Sequence, residues 1–225
     1  MNDLTKRTLV GLAEFQLFLA IVIFLPAWSL RYWQGWLYWL IFGLACLVLG
    51  LYFVRRDPAL VARRMQAGPK AEKEPRQKLI LSCASVTLIT LYIVCGLDHC
   101  FHWSPVPAWL ALTADLFVIL GAYGFYVTFR ANGYAASTVT VETGQPVISS
   151  GPYAEVRHPM YTAAILLYVA TPLALGSWWG LAPAAVLVAV IVWRLMDEEA
   201  YLARHLSGYP EYQRQVRARL VPGVW

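Results

Sequence analysis

PAWLALTADLFVILGAYGFYVTF, residues 107–129, carries one charged side chain, Asp115, and stops at Arg130. A helix crosses the bilayer interior with about 20 such residues, so this stretch reads as a membrane span. Three further runs of that kind precede it, at 9–30, 35–54 and 79–97. Two shorter ones follow, at 160–175 and 178–195, interrupted by Pro172, Gly176, Gly180 and Pro183. They predict a helical hairpin turning at 176–180. Composition agrees: of 225 residues 59% are hydrophobic and only 14% charged, which no ordinary soluble domain of this length matches. The expected fold is an all-α integral membrane protein of four spans plus a C-terminal hairpin.

Charge sets the expected orientation. Lys6 and Arg7 precede the first run, which is too long for a signal peptide and lacks a small-residue cleavage site, so it should remain as an anchor. Eight of the 18 basic residues lie between Arg55 and Lys78, and most of the others follow Phe129. The loop 98–106 and the turn 176–180 have no Lys or Arg. By the positive-inside rule both termini and the basic loops face the cytoplasm, in the inner membrane if the source is bacterial. This role accounts for the +5 charge, which then gives no reason to expect nucleic acid. Cys46, Cys83, Cys95 and Cys100 contain no Cys-x-x-Cys pair and read as small apolar residues. His99 and His102 lack a third ligand, so no metal site is expected.

Two regions follow. Residues 1–129 hold the four spans and the basic loop 55–78, in which Arg55–Met65 has the pattern of a short helix lying on the inner leaflet among anionic lipids. Lys70–Pro75 reads as a solvated linker. Residues 130–225 open with about thirty turn-rich residues, 131–159, a length that in a compact protein usually carries function. The hairpin 160–195 comes next, then a helical segment at 194–202 and a basic tail expected to pack back onto the membrane face.

Two clusters can carry chemistry. Gly151-Pro152-Tyr153-Ala154-Glu155-Val156-Arg157-His158-Pro159-Met160-Tyr161 places a turn, a cation, an imidazole and two phenols at the start of a helix, with Pro159 suited to its first turn. Arg194 and Glu198 stand four apart, on one helical face, where the last apolar run ends, while Glu199 points elsewhere. Taken blandly, these are interface anchors and a surface ion pair. Tyr134, Thr138 and Thr140 can line a pocket or be plain loop residues. Glu14 and Asp115 are ionisable groups within spans, where function is suspected by default. There is no Gly-x-Gly and no Walker A, so a nucleotide cofactor needs another kind of pocket.

In combination and order, Gly151-Pro152-Tyr153, Arg157-His158-Pro159-Met160-Tyr161, the hairpin, Arg194 with Glu198-Glu199 and Tyr209-Pro210-Glu211-Tyr212 resemble the isoprenylcysteine carboxyl methyltransferase family, related to the phospholipid N-methyltransferases. The resemblance covers about 130–225. It implies a cytoplasmic pocket for S-adenosylmethionine lined by Gln145, Pro146, Val147, Ile148, Tyr153, His158, Pro159, Met160 and Tyr161. Glu198 would hold the polar end of the cofactor and Arg194 the substrate. Eukaryotic members have His in place of Gln145.

On that reading the protein transfers a methyl group to a lipophilic acceptor, an isoprenylcysteine carboxylate by resemblance, or a lipid amine or small thiol. An amine would need a base, for which Glu198 or Glu199 is available. Two other classes stay open: a transport or proton-relay protein using Glu14 and Asp115, and an NADPH-dependent reductase.

Overall fold

The computed structural model describes residues 3–225, and every regular element in them is helical. In chain order these are α1 (Asp3–Ala27), α2 (Trp33–Arg56), α3 (Pro58–Met65), α4 (Pro75–Phe101), α5 (Ala108–Ala131), α6 (Pro159–Ala174), α7 (Leu181–His205) and α8 (Tyr209–Gln215), with a 3-10 turn at Gly151–Ala154. Helices α1, α2, α4 and α5 are long and apolar enough to cross a membrane. Most of their side chains face outward, including Leu17, Leu25, Leu40, Leu44, Val86, Leu116 and Tyr123. That surface suits lipid better than water.

The predicted spans match these four helices, but the ends differ. Helix α4 continues through Asp98 to Phe101, so half of the expected 98–106 loop is its last turn, stopped by His102 in the left-handed region at φ 53°. The buried Asp98 explains the extension. Its carboxylate accepts from Ser104 N (2.8 Å), Ser104 Oγ and Ser177 Oγ (2.5 Å), tying α4 to the hairpin turn. The segment at 194–202 is likewise continuous with α7, which runs unbroken to His205.

The site rests on the pairing of α5 with α6, the most extensive helix contact in the protein. Ala111, Ala114, Val118, Gly121 and Gly124 form a narrow seam along α5, and Ala163 and Leu167 of α6 lie against it. A Cβ on Gly124 would stand 2.8 Å from Ala163 Cβ. Such close backbone approach is what small residues provide between apolar helices, where packing rather than water exclusion drives association. At the other side, Tyr38 Oη joins Tyr92 Oη (2.9 Å) and Thr171 Oγ1 (3.1 Å), linking α2, α4 and α6 inside the bundle.

Helix α3 departs from the expected leaflet-bound helix. Asp57 caps it by accepting from Leu60 N at 3.0 Å, and Leu60 and Val61 are buried with Phe53, Val54, Phe129 and Ala135. Its arginines bind protein: Arg63 holds Glu142 bidentately (2.6 and 3.0 Å) and Gly133 O (3.0 Å), and Arg64 reaches Ala135 O (3.1 Å). The expected solvated linker differs too. Glu72 is buried, accepting from Lys73 N (3.0 Å) and from Val139 N of the turn-rich segment (3.0 Å). Backbone donors without partners draw this carboxylate inward.

Gly124→Leu is expected to force α5 and α6 apart at Ala163, an overpacking that costs about 1–3 kcal/mol. Thermal denaturation in detergent checks this. The parallel change at the open Gly11, around which nothing lies within 4 Å, should leave the midpoint near that of the parent.

Candidate functional site

The acidic triplet at the end of α7 works in three directions, because successive helical residues turn by about 100°. Asp197 pairs with Arg76 (3.0 Å) and accepts from Gln77 Nε2 (2.7 Å), fastening α4. Glu198 accepts from Tyr161 Oη. Glu199 points into the protein and is 5% exposed. Its Oε1 accepts from Arg157 Nε (2.6 Å) and His158 Nε2 (3.1 Å), and its Oε2 from Arg219 Nε (3.0 Å). Against an ionised carboxylate His158 Nε2 must carry the hydrogen.

Burial pushes the Glu199 carboxyl up, yet the hydrogen bonds of His158 and Arg157, the His158 charge and the Arg219 bond outweigh it and hold the group at about 2. Arg157 also donates from Nη1 to Val216 O (2.7 Å) and Arg217 O (2.8 Å), while Arg157 N and His158 N bond Ala218 O and Arg219 O, each at 3.0 Å. The tail therefore packs on residues 157–158. Glu199 cannot serve as a base: it is fully committed to three donors, and it is absent from the pocket wall.

Above this cluster opens a small cavity of about 100 Å³ with an open mouth. Gln145, Pro146, Val147, Ile148, Tyr153, His158, Met160, Tyr161 and Glu198 all line it, as do Tyr134, Thr138 and Thr140. Two expected site residues stand elsewhere. Pro159 is buried as the first residue of α6, and Arg194 lies behind the wall, where its Nε donates to Tyr161 Oη (2.9 Å) and Nη2 to Ser137 O (2.9 Å). No direct Arg194–Glu198 ion pair forms, since Tyr161 Oη stands between them. Gln145 Oε1 accepts from Glu142 N (3.0 Å), closing the 142–145 turn and leaving its amide N–H groups uncommitted.

Several wall residues were not foreseen: Asn132, Leu202, Leu206, Tyr209 and Tyr212. Asn132 Nδ2 donates to Tyr153 Oη (3.1 Å), and Tyr212 Oη donates to Tyr153 O (2.7 Å). Tyr209 is 4% exposed and its hydroxyl has no partner among the described residues. Burial, with the carboxylates of Glu199 and Glu198 nearby, drives that phenol well above its usual value. It is a neutral donor left unsatisfied on the pocket wall. The Tyr209-Pro210-Glu211-Tyr212 motif was the available signal for it, but a motif does not tell which phenol is pinned and which is left free.

A second cavity, of about 580 Å³, lies between α1, α2, α3, α5 and α6. Its wall is mostly apolar, with Leu12, Phe15, Phe42, Phe53, Phe125 and Leu167, and the cations Arg7 and Arg64 also line it. Neither Glu14 nor Asp115 lines either cavity. Glu14 is exposed on the outside of α1 and Asp115 is buried in the α5 seam, so they do not share a path.

Residues 109–208, which contribute the floor of the polar cavity, match the family model of phospholipid methyltransferases, the family that includes isoprenylcysteine carboxyl methyltransferases. The match spans that segment of the chain and is a similarity to the family. A search of the curated proteins found no match to the chain.

Because Glu199 is depressed in the fold, its contribution is complete above the ordinary carboxyl value of 4.5 and is lost as pH falls toward about 2. The unfolding midpoint should fall through that window. Glu199→Gln should lower stability by about 3–5 kcal/mol at neutral pH by stranding buried cations, and should flatten the acid limb.

Proposed function

We propose that the protein is an S-adenosylmethionine-dependent methyltransferase of the cytoplasmic membrane face, acting on a lipophilic acceptor of the isoprenylcysteine carboxylate kind. The observation that carries this reading is the polar cavity on a phospholipid methyltransferase segment, with an unpaired buried donor at Tyr209 and an unshared carboxylate oxygen at Glu198. Glu198 Oε1 has no partner among the described residues and can accept from ribose hydroxyls or an ammonium group. The amide of Gln145 and the hydroxyl of Tyr209 offer donors to polar atoms of the cofactor. Tyr153, His158, Tyr161 and Tyr212 supply aromatic surfaces that suit an adenine or a sulfonium. The set of donors and acceptors therefore fits the cofactor.

When bound, the cofactor supplies an electrophilic methyl group for in-line transfer, which needs positioning and exclusion of water more than acid–base help. This chain provides both. Tyr161 Oη, accepting from Arg194 and donating to Glu198, holds the Glu198 carboxylate oriented. Arg63, Glu72 and Ser137 fasten the 131–150 segment over the cavity through Glu142, Val139 and the Arg64 carbonyl. The basic termini and loops, gathered at the end of the bundle that holds the cavity, support a cytoplasmic orientation. The apolar second cavity, adjoining at Arg64 and Met160, suits the acceptor chain.

Calorimetric titration of the detergent-purified protein tests this. S-adenosylmethionine and its demethylated product should bind saturably and NADPH should not. Glu198→Ala should weaken binding about tenfold or more while the protein stays folded, the loss expected for a charge-assisted hydrogen bond. Unchanged affinity in Glu198→Ala, or saturable NADPH binding in place of the first two, would contradict the reading. Tyr209→Phe separates ligand from fold: removing a hydroxyl with no protein partner should leave the melting midpoint unchanged or slightly raised, yet weaken cofactor binding a few-fold.

A further inference from the structure

The outward surface of the bundle changes character where α2 and α5 reach its basic end. On α2 the residues Leu44, Val48, Tyr52 and Arg56 are each four apart, so they form one row along the helix, and all four are exposed. On α5 Leu116, Ile119, Tyr123, Tyr126 and Arg130 follow at steps of three and four, with only Tyr126 half-buried. The two helices pack together, and their phenols bring the rows to one place. The Tyr52 and Tyr126 rings meet edge to face with centroids 5.3 Å apart, and Tyr123 lies 6.0 Å from Tyr126. Arg130 folds back over Tyr126, its guanidinium carbon 5.7 Å from the ring centre and its Nη1 donating to Oη at 3.4 Å. Arg56 and Arg130 both lie within electrostatic reach of Tyr52.

Nothing in the protein answers these two charges. Neither Arg56 nor Arg130 forms a salt bridge among the described residues. The carboxylate next to Arg56 in the chain, Asp57, is turned away: it caps α3 through Leu60 N (3.0 Å), and its other oxygen lies against Gly133. Arg63 and Arg64 on α3, by contrast, are committed to protein groups. None of the three phenols, nor Arg56 or Arg130, lines either cavity, so the cluster is separate from the candidate site.

Each row repeats the layers of a phospholipid in depth: aliphatic side chains, then phenols, then a guanidinium. From Leu44 to Arg56 the helix rises about 18 Å, a little more than the ~15 Å of hydrocarbon in one leaflet, so the guanidinium stands at the level of the phosphates. A guanidinium pairs with phosphate oxygens in a planar fork, and a phenol can donate to an ester carbonyl just below them. We propose that the α2–α5 seam binds an anionic phospholipid of the leaflet on that side. Its phosphate is seated by Arg56 and Arg130, its ester groups lie at Tyr52, Tyr123 and Tyr126, and its acyl chains run along the two aliphatic rows. A zwitterionic headgroup would bring its ammonium to two unpaired cations and is disfavoured. The lipid is a resident ligand of the bundle surface and not a methyl acceptor.

The test is native mass spectrometry of the full chain in detergent micelles, with phosphatidylglycerol, phosphatidylethanolamine and phosphatidylcholine of the same acyl chains offered together. The first lipid retained should be phosphatidylglycerol, with an affinity about fivefold or more above the other two, as one net charge beside a membrane-surface arginine implies. Arg56→Gln combined with Arg130→Gln should abolish that preference. Lys6→Gln combined with Lys78→Gln, which removes two exposed cations from the same end of the bundle, should keep it. Phosphatidylethanolamine retained as well as phosphatidylglycerol, or a preference that survives the arginine pair, would overturn the proposal. A preference lost equally with the lysine pair would overturn it by making the attraction diffuse. Acyl-free glycerophosphoglycerol should not displace the lipid; displacement at the concentration at which the whole lipid competes would make the seat one for a soluble phosphate ester and reject the lipid. Should the arginine pair fail to fold, Tyr126→Phe takes its place. Removing the hydroxyl that holds Arg130 should lower the preference about twofold, the effect of one exposed hydrogen bond, and an unchanged preference would count as refutation.

Discussion

A single buried carboxylate holds the C-terminal half together. Glu199 draws Arg157, His158 and Arg219 onto its two oxygens, so that the end of α7, the start of α6 and the tail meet at one point. Each of these elements contributes to the polar cavity or supports a residue that does: His158 on its floor, Glu198 beside Glu199 on α7, and the tail that clamps residues 157–158. Desolvating so many charges is tolerable only because every one is hydrogen-bonded, and removing any one strands the others. The cavity is in this sense a by-product of the ion cluster beneath it.

Much of the fold is legible in the sequence because its physics is one-dimensional. Span length and hydropathy reveal α1, α2, α4 and α5 directly, and Pro172 with Gly176 and Gly180 reveals the hairpin. The α5 seam is not legible that way. Ala111, Ala114, Val118, Gly121 and Gly124 lie in a uniformly apolar helix, and only the position of α6 gives that face its meaning. Asp98 was hidden for a similar reason, since its partners Ser104 and Ser177 are brought to it by tertiary packing.

The candidate site divides along the same line. Residues in the Gly151–Tyr161 motif and at 145–148 reach the cavity wall as a contiguous turn-rich segment, which local sequence can announce. The choice between Glu198 and Glu199 depends on the rotation of α7 against α6, which adjacent letters do not encode. Arg64 is the clearest example. Among paired arginines beside a membrane it reads as a lipid contact, and only the folding of α3 under the turn-rich segment turns it to the partition between two cavities. Glu72, read as solvated linker, changes role for the same reason, being drawn in by the free amide of Val139.

The chemistry suggested by these two cavities is a division of labour between a polar chamber and an apolar one, with no base required if the acceptor is already an anion. The most direct measurement is transfer of tritiated methyl from labelled S-adenosylmethionine by the purified protein in liposomes containing N-acetyl-S-farnesylcysteine. The account predicts organic-extractable label that alkali releases as volatile methanol, the signature of a methyl ester. Cofactor binding with no transfer to this carboxylate, or label that resists alkali, would contradict it.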